Sequence, residues 1–233
     1  AVALMNLVGT PLASMLMSAP ILFSVLLLSR RWQFILPILL LAGMTYLSIN
    51  ANTLMDKPRE ERAPVIYKKW DAMAKLKIYE FNEAYRGLNI DNVANSPVYK
   101  FDGNWARPDS EKFQFGIDVS YLIAQNDSCT FLSLGAGGGV DILQALQAGC
   151  TKVHAVEINP LINKLMQKGE LADYSGQIYN DPRVKVITED ARAYVRRFEN
   201  KFDMIYSLSS NTWAALASGS FALAENYLFT TEA

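Results

Sequence analysis

Four places along this chain of 233 residues bear side chains that could work together chemically. The first is Gly135-Ala136-Gly137-Gly138-Gly139, which follows the apolar run Phe131-Leu132-Ser133-Leu134 and precedes a helical pattern opened by Asp141. Glycines let a ligand touch the backbone, and a helix start favours negative or polar groups, so a strand, a glycine turn and a helix make a nucleotide site. The second place is Glu157, at the end of the apolar run Lys152-Val153-His154-Ala155-Val156. It lies 22 residues beyond Gly135, close to the roughly 20 expected for an acid that grips ribose hydroxyls. A carboxylate can accept two hydrogen bonds from a vicinal diol. The third is Glu189-Asp190-Ala191, where Asp190 could accept from an adenine amino group. The fourth is the polar run Ser207, Ser209, Ser210, Asn211, Thr212 and Trp213.

Each of these also has a structural use. Glu157 could cap the helix that starts at Pro160, and Asp190 the helix that starts at Ala191. Asp141 could serve its own helix start. The serines could be ordinary loop hydrogen bonders. His154 is the single histidine and falls within a strand pattern, a structural position. No spacing suits a metal, and no nucleophile is paired with a histidine.

The elements that must hold these residues alternate. Thr130–Leu134, Lys152–Val156, Val184–Ile187 and Phe202–Tyr206 read as strands. Asp141–Gln147, a stretch from Pro160 through Met166, and Ala191–Phe198 read as helices between them. Such alternation predicts a doubly wound parallel sheet, whose ligands sit at the carboxyl ends of the strands. Upstream, Lys75–Tyr79, Arg86–Asp91 and Val98–Phe101 alternate in polarity, which predicts a small antiparallel β unit over about residues 66–102. Asn95-Ser96-Pro97 reads as punctuation between two of those strands. Ser110 caps a predicted helix carrying Phe113, Ile117, Tyr121 and Leu122.

The first 50 residues contain no acid, and their only bases are Arg30 and Arg31. Ala1–Ser29 and Gln33–Ile49 are apolar runs that predict two membrane-spanning helices, with Trp32 suited to the interface. Lys57, Arg59, Arg62, Lys68 and Lys69 follow, and the positive-inside bias puts the remainder of the chain in the cytoplasm. A formal net charge of −1 gives no hint of a nucleic-acid partner. The two cysteines, Cys129 and Cys150, suggest no disulfide framework and a reducing compartment. The chain does not begin with Met, and it stops at Thr231-Glu232-Ala233 inside an apparent helix, which reads as a piece of something longer.

A dinucleotide fingerprint wants its third glycine at position 140, where this chain has Val140. The pattern G-x-G-x-G instead resembles the first motif of class I S-adenosylmethionine-dependent transferases. With Ala155-Val156-Glu157-Ile158-Asn159-Pro160, Asp181-Pro182-Arg183-Val184 and Glu189-Asp190-Ala191-Arg192, it looks like the spermidine synthase (polyamine aminopropyltransferase) family, most of all its membrane-anchored bacterial members. The resemblance implies a Rossmann-like sheet at residues 110–233, incomplete at its C-terminal edge, after a β unit at 66–109, a linker at 53–65 and a membrane segment at 1–52. It implies a multi-pass protein of the bacterial inner membrane.

By that resemblance S-adenosylmethionine, or its decarboxylated form, is held by Gly135, Ala136, Gly137, Gly138, Gly139, Asp141, Glu157, Ile158, Asp190, Ala191 and Ser207. Thr212 and Trp213 line the side of a small-molecule acceptor, and Asn211 stands at the catalytic position. One departure matters. The family carries a D-S-S-D-like motif where this chain has Leu208-Ser209-Ser210-Asn211, so both acids that handle an amine substrate are missing. The expected reaction is therefore methyl or related alkyl transfer, which needs positioning more than acid–base groups. Aminopropyl transfer with Glu225 substituting, and a non-catalytic ligand-sensing module of a membrane protein, are the alternatives. The acceptor and the oligomeric state, homo-oligomer included, are not legible.

Overall fold

The computed structural model describes residues 1–28, 35–55, 61, 63–106, 128–197, 199 and 201–207. The predicted helix after Ser110 lies outside them, as do Asn211, Thr212, Trp213 and Glu225. The chain divides into two compact units, Ala1–Leu76 and Lys77–Ala233.

The first unit opens with helices α1 (Val2–Val8), α2 (Thr10–Leu28) and α3 (Ile35–Met55). Gly9 separates the first two with φ of 87°, a left-handed conformation that costs a glycine little. α2 and α3 pack against each other, and the Ser18 hydroxyl reaches the Met44 sulfur at 3.7 Å. Other hydroxyls turn back onto their own helix, Ser24 to the Pro20 carbonyl and Thr45 to that of Leu41, so no polar face forms. Large side chains such as Leu27 (71% exposed) and Ile49 (79% exposed) face outward.

Among the described residues, α2 is long and apolar enough to cross a membrane. The expectation of two such helices is corrected here. The apolar part of α3 ends at Ile49, because Asn50, Asn52 and Thr53 occupy its last turns. At the base of this unit the Asp71 carboxylate accepts from the amides of Met73 and Ala74, each at 2.7 Å. Thr10 donates to the Asp71 carbonyl, and the Asn6 side chain accepts from Ala72 N–H at 2.9 Å.

Strands β1 (Val65–Trp70), β2 (Lys75–Asn82), β3 (Tyr85–Ile90) and β4 (Ala94–Tyr99) form a sheet in sequence order. β3 and β4 run antiparallel, with Tyr85 opposite Tyr99 and Ile90 opposite Ala94. Asp91 and Asn92 turn the hairpin with φ of 53° and 61°, the positive angles tight hairpins need and Asp and Asn tolerate. β4 begins earlier than the polarity pattern suggests and takes in Ser96 and Pro97. Proline lacks the ladder N–H, and β4 accepts it because it lies at the sheet edge.

The second sheet has strands β5 (Thr130–Leu134), β6 (Lys152–Val156), β7 (Val184–Ile187) and β8 (Met204–Tyr206). Helix α4 (Val140–Gln147) follows β5, α5 (Pro160–Lys168) follows β6, and α6 (Ala191–Arg197) follows β7. The spatial order is β7-β6-β5-β8, all parallel. This is the mixed α/β, Rossmann-like arrangement that the alternation predicts. Phe131, Leu132, Val153 and Val156 of the strands are buried, as are Ile142, Ile162 and Met166 of the helices that follow them. His154 is buried, with Nδ1 2.6 Å from the Tyr194 hydroxyl. Burial, then the charges of Lys152 and Lys185, press its pKa to about 4, so the ring is neutral and structural.

The reading of two separate thiols is overturned. Cys129 and Cys150 form a disulfide, with Cα atoms 4.4 Å apart. Thr130 pairs with Lys152 across neighbouring parallel strands, which brings the residues just before β5 and β6 together. Sequence spacing gives no sign of that register.

Candidate functional site

In the order β7-β6-β5-β8 the chain builds outward from β5 first to one side and then to the other, so the switch point lies between β5 and β8. Leu134 pairs with Val156, and Val156 with Ile187. The residues that follow, Gly135, Glu157 and Thr188, therefore emerge at one level on the carboxyl edge, where ligands of such sheets sit.

The glycine loop is tightly built. Gly135, Gly137 and Gly139 have φ of 81°, 49° and 76°, which other residues adopt only with strain. Gly135 and Ala136 N–H both donate to the Val156 carbonyl, at 2.9 and 3.0 Å. Gly139 N–H donates to the Ala136 carbonyl at 2.8 Å. Gly137 N–H donates to one carboxylate oxygen of Glu157 at 3.1 Å, and Asn159 N–H donates to the other at 2.9 Å. Asn159 in turn caps α5 by accepting from Leu161 N–H at 2.8 Å, with Pro160 in the first turn. Glu157 thus joins the ends of β5 and β6 from a buried position, while its neighbour Ile158 is 48% exposed.

Two further groups complete this edge, and neither is marked by any motif. Ser96 of β4 accepts from Gly138 N–H at 2.7 Å. Tyr179, fully buried, donates to the Gly137 carbonyl at 2.8 Å. The Ser96-Pro97 pair looks like loop punctuation in the sequence, which hides its role as a strand laid against the glycines.

The remaining expected ligand residues divide. Asp141 stands in the first turn of α4. Ser207 follows β8, the strand beside β5, and its buried hydroxyl has no hydrogen-bond partner among the described residues. Asp190 takes up its structural use, accepting from Ala193 N–H at 2.9 Å at the start of α6. Ala191 packs on the core cluster of Leu132, Leu134, Val156 and Tyr194. So the geometry gathers Gly135 to Gly139 and Glu157 around one hydrogen-bonded centre, with Asp141 in the first turn of the helix that follows and Ser207 just after the strand next to β5. Asp190 is engaged with its own helix. Asn211, Thr212 and Trp213 lie outside the described residues.

The centre is acidic and poorly solvated. Burial raises the Asp141 pKa from 3.8 to about 6. Burial also raises Glu157, against its hydrogen bonds from Asn159, Gly137 and Ile158. Tyr179 is pushed well up by burial, then by the charges of Glu157 and Asp141.

A pH dependence follows. An acid whose folded pKa exceeds its unfolded value adds stability that is present below the unfolded value and is lost as pH rises through the folded one. For Asp141 that window runs from 3.8 to about 6. Asp141→Asn should remove this part of the pH dependence and stabilise the protein at pH 7.5 by at most about 3 kcal/mol, the value of a two-unit shift. Denaturant unfolding at pH 5 and 7.5 measures it, and an unchanged difference between the two pH values would refute the assignment.

These features define an α/β protein with a glycine loop and an acid at the carboxyl edge of a parallel sheet. No protein family matches the chain by sequence, and no curated protein does so either. Among solved structures, it is similar to the spermidine synthase from Thermotoga maritima at 20% identity and a TM-score of 0.47, covering 65% of this chain and 49% of that one. It is also similar to a spermidine synthase in complex with the transition state analogue AdoDATO, at 19% identity and a TM-score of 0.45, covering 62% of this chain and 47% of that one. The chain spans about half the length of these two proteins.

Proposed function

We propose that the second unit binds S-adenosylmethionine or a close adenosyl relative and serves a transferase, spermidine synthase-like in its donor half. The observation that carries this reading is the Gly137–Glu157 hydrogen bond at 3.1 Å, which ties glycine loop and acid together beside the switch point. The residues present fit an adenosyl group. Each Glu157 oxygen accepts one of these two backbone N–H groups, and a carboxylate oxygen can accept a second hydrogen bond, here from a ribose hydroxyl. Ile158 offers an exposed apolar surface beside it, and Ser207 a hydroxyl without a partner among the described residues. The sulfonium of a bound donor would supply the driving force for transfer of a methyl or related alkyl group to a small-molecule acceptor. The chain's own part is to bind, orient and exclude water.

Titration calorimetry with S-adenosylmethionine, S-adenosylhomocysteine and 5′-methylthioadenosine tests the reading. Binding of at least one in the micromolar range is expected, and binding of none would sink it. Transfer of label from S-adenosylmethionine to cell extract separates a methyltransferase from a ligand sensor. Formation of spermidine from decarboxylated donor and putrescine would establish aminopropyl transfer instead.

We also propose that α2, packed on α3, anchors the protein in a bacterial inner membrane, since its exposed face is apolar along a 19-residue helix. Deleting residues 1–50 should release the chain from the membrane fraction; retention there would contradict the anchor. The basic residues after α3 favour a cytoplasmic second unit, whereas a Cys129–Cys150 disulfide is what an oxidising compartment preserves. Impermeant labelling of a cysteine placed at Lys69 decides between the two sides.

A further inference from the structure

Glycine loops at helix starts usually present free backbone N–H groups, and those groups hold phosphates. This loop presents none of its own from Gly135 to Gly139. Two N–H groups are taken by the Val156 carbonyl, one by the Ala136 carbonyl, one by Glu157 and one by Ser96. Asp141 adds a carboxylate in the first turn of α4. The two acids at this edge would also repel an incoming anion.

Three of the four acceptors, Val156, Ala136 and Glu157, belong to the loop and the parallel-sheet framework, and removing them would dismantle it. The fourth, Ser96, comes from β4 and can be changed alone. Its hydroxyl is 2.7 Å from Gly138 N. A Cβ on Gly137 would come within 2.5 Å of that same oxygen, so the side chain is pressed onto the loop.

We infer that Ser96 is a specificity-determining residue, which closes the glycine loop to phosphate and makes this a nucleoside site rather than a nucleotide site. The inference rests on the adenosyl reading above and narrows it: the ligand carries no anionic group at the loop, and any carboxylate on a donor's tail points away from it. Ser96→Ala would free a buried N–H that seeks an acceptor. Ser96→Thr keeps the hydroxyl.

Calorimetry on the full chain, with 5′-methylthioadenosine as the neutral probe and 5′-AMP as the anionic one, provides the test. The wild-type protein should prefer the neutral probe by about tenfold or more, the effect of one good interaction. Ser96→Ala should narrow that preference by about threefold or more, and Ser96→Thr should restore it. The ratio of the two affinities is read because general loosening of the loop weakens both ligands alike, and a melting curve verifies that each variant is folded. A wild-type protein that binds AMP as well as the neutral probe overturns the inference. So does a folded Ser96→Ala with an unchanged ratio. Failure of the wild-type protein to bind either probe, or S-adenosylmethionine, overturns the adenosyl reading itself and this inference with it.

Discussion

Glu157→Ala is expected to lose both ligand affinity and a substantial part of the stability of the second unit. The carboxylate accepts from Gly137 N–H at 3.1 Å and from Asn159 N–H at 2.9 Å, in a buried position. Alanine leaves both donors without an acceptor, and each buried unsatisfied group costs about 1–3 kcal/mol. The sum, roughly 2–6 kcal/mol, corresponds to a fall in melting temperature of about 4–24 °C for a domain of this size. Adenosyl affinity should fall about tenfold or more, the worth of a charge-assisted hydrogen bond. Glu157→Gln keeps one carbonyl oxygen, can satisfy one of the two donors, and should lose about half as much stability. A variant Glu157→Ala that melts with the wild-type protein would show that the carboxylate does not hold the loop. The sequence alone leads one to expect weaker binding with the fold untouched. The stability cost follows only from the two backbone partners.

The second large effect belongs to Gly138→Ala. A Cβ there would lie 2.2 Å from the Pro97 carbonyl oxygen and 2.9 Å from its carbon, with a Val98 methyl also at 2.9 Å. Two of those atoms are backbone and cannot rotate away, so either β4 or the loop must move. Overpacking of this kind costs about 1–3 kcal/mol, occasionally more, and displacement would also break the Ser96 hydrogen bond. The expected outcome is a lower unfolding midpoint together with faster amide exchange at Gly137 and Gly138. Normal exchange and an unshifted midpoint would mean that β4 does not lie against the loop. Gly137→Ala should be damaging for a different reason, since its φ of +49° already disfavours a side chain.

Much of the parallel sheet is legible in the sequence because each strand is a short apolar run and each helix has a start signal. Thr130–Leu134 and Lys152–Val156 match the observed strands residue for residue. Pro160 marks the start of α5, where a missing N–H does no harm. Gly135 and Glu157 can be placed at strand ends by counting alone. What local pattern cannot supply is pairing over long separations. Ser96 lies 42 residues from Gly138, and Tyr179 lies 42 from Gly137. Neither is distinguishable from an ordinary turn serine or core tyrosine until the strands are laid side by side. The same holds for Cys129 and Cys150, whose meeting depends on parallel register. The break of the first apolar run at Gly9 was hidden because hydropathy does not register a change of backbone direction.

The Cys129–Cys150 disulfide turns the stretch between β5 and β6 into a covalent ring. The glycine loop and α4 lie inside that ring, and a bond of this separation, 21 residues, restricts the unfolded chain by about 3 kcal/mol. A ring also has two routes between any two of its points. Cutting one peptide bond within α4 therefore leaves the pieces joined, and the nicked chain should migrate as two fragments only after a reductant is added. The segment that carries the glycines is thereby kept attached to both of its flanking strands, even where its backbone has been severed once.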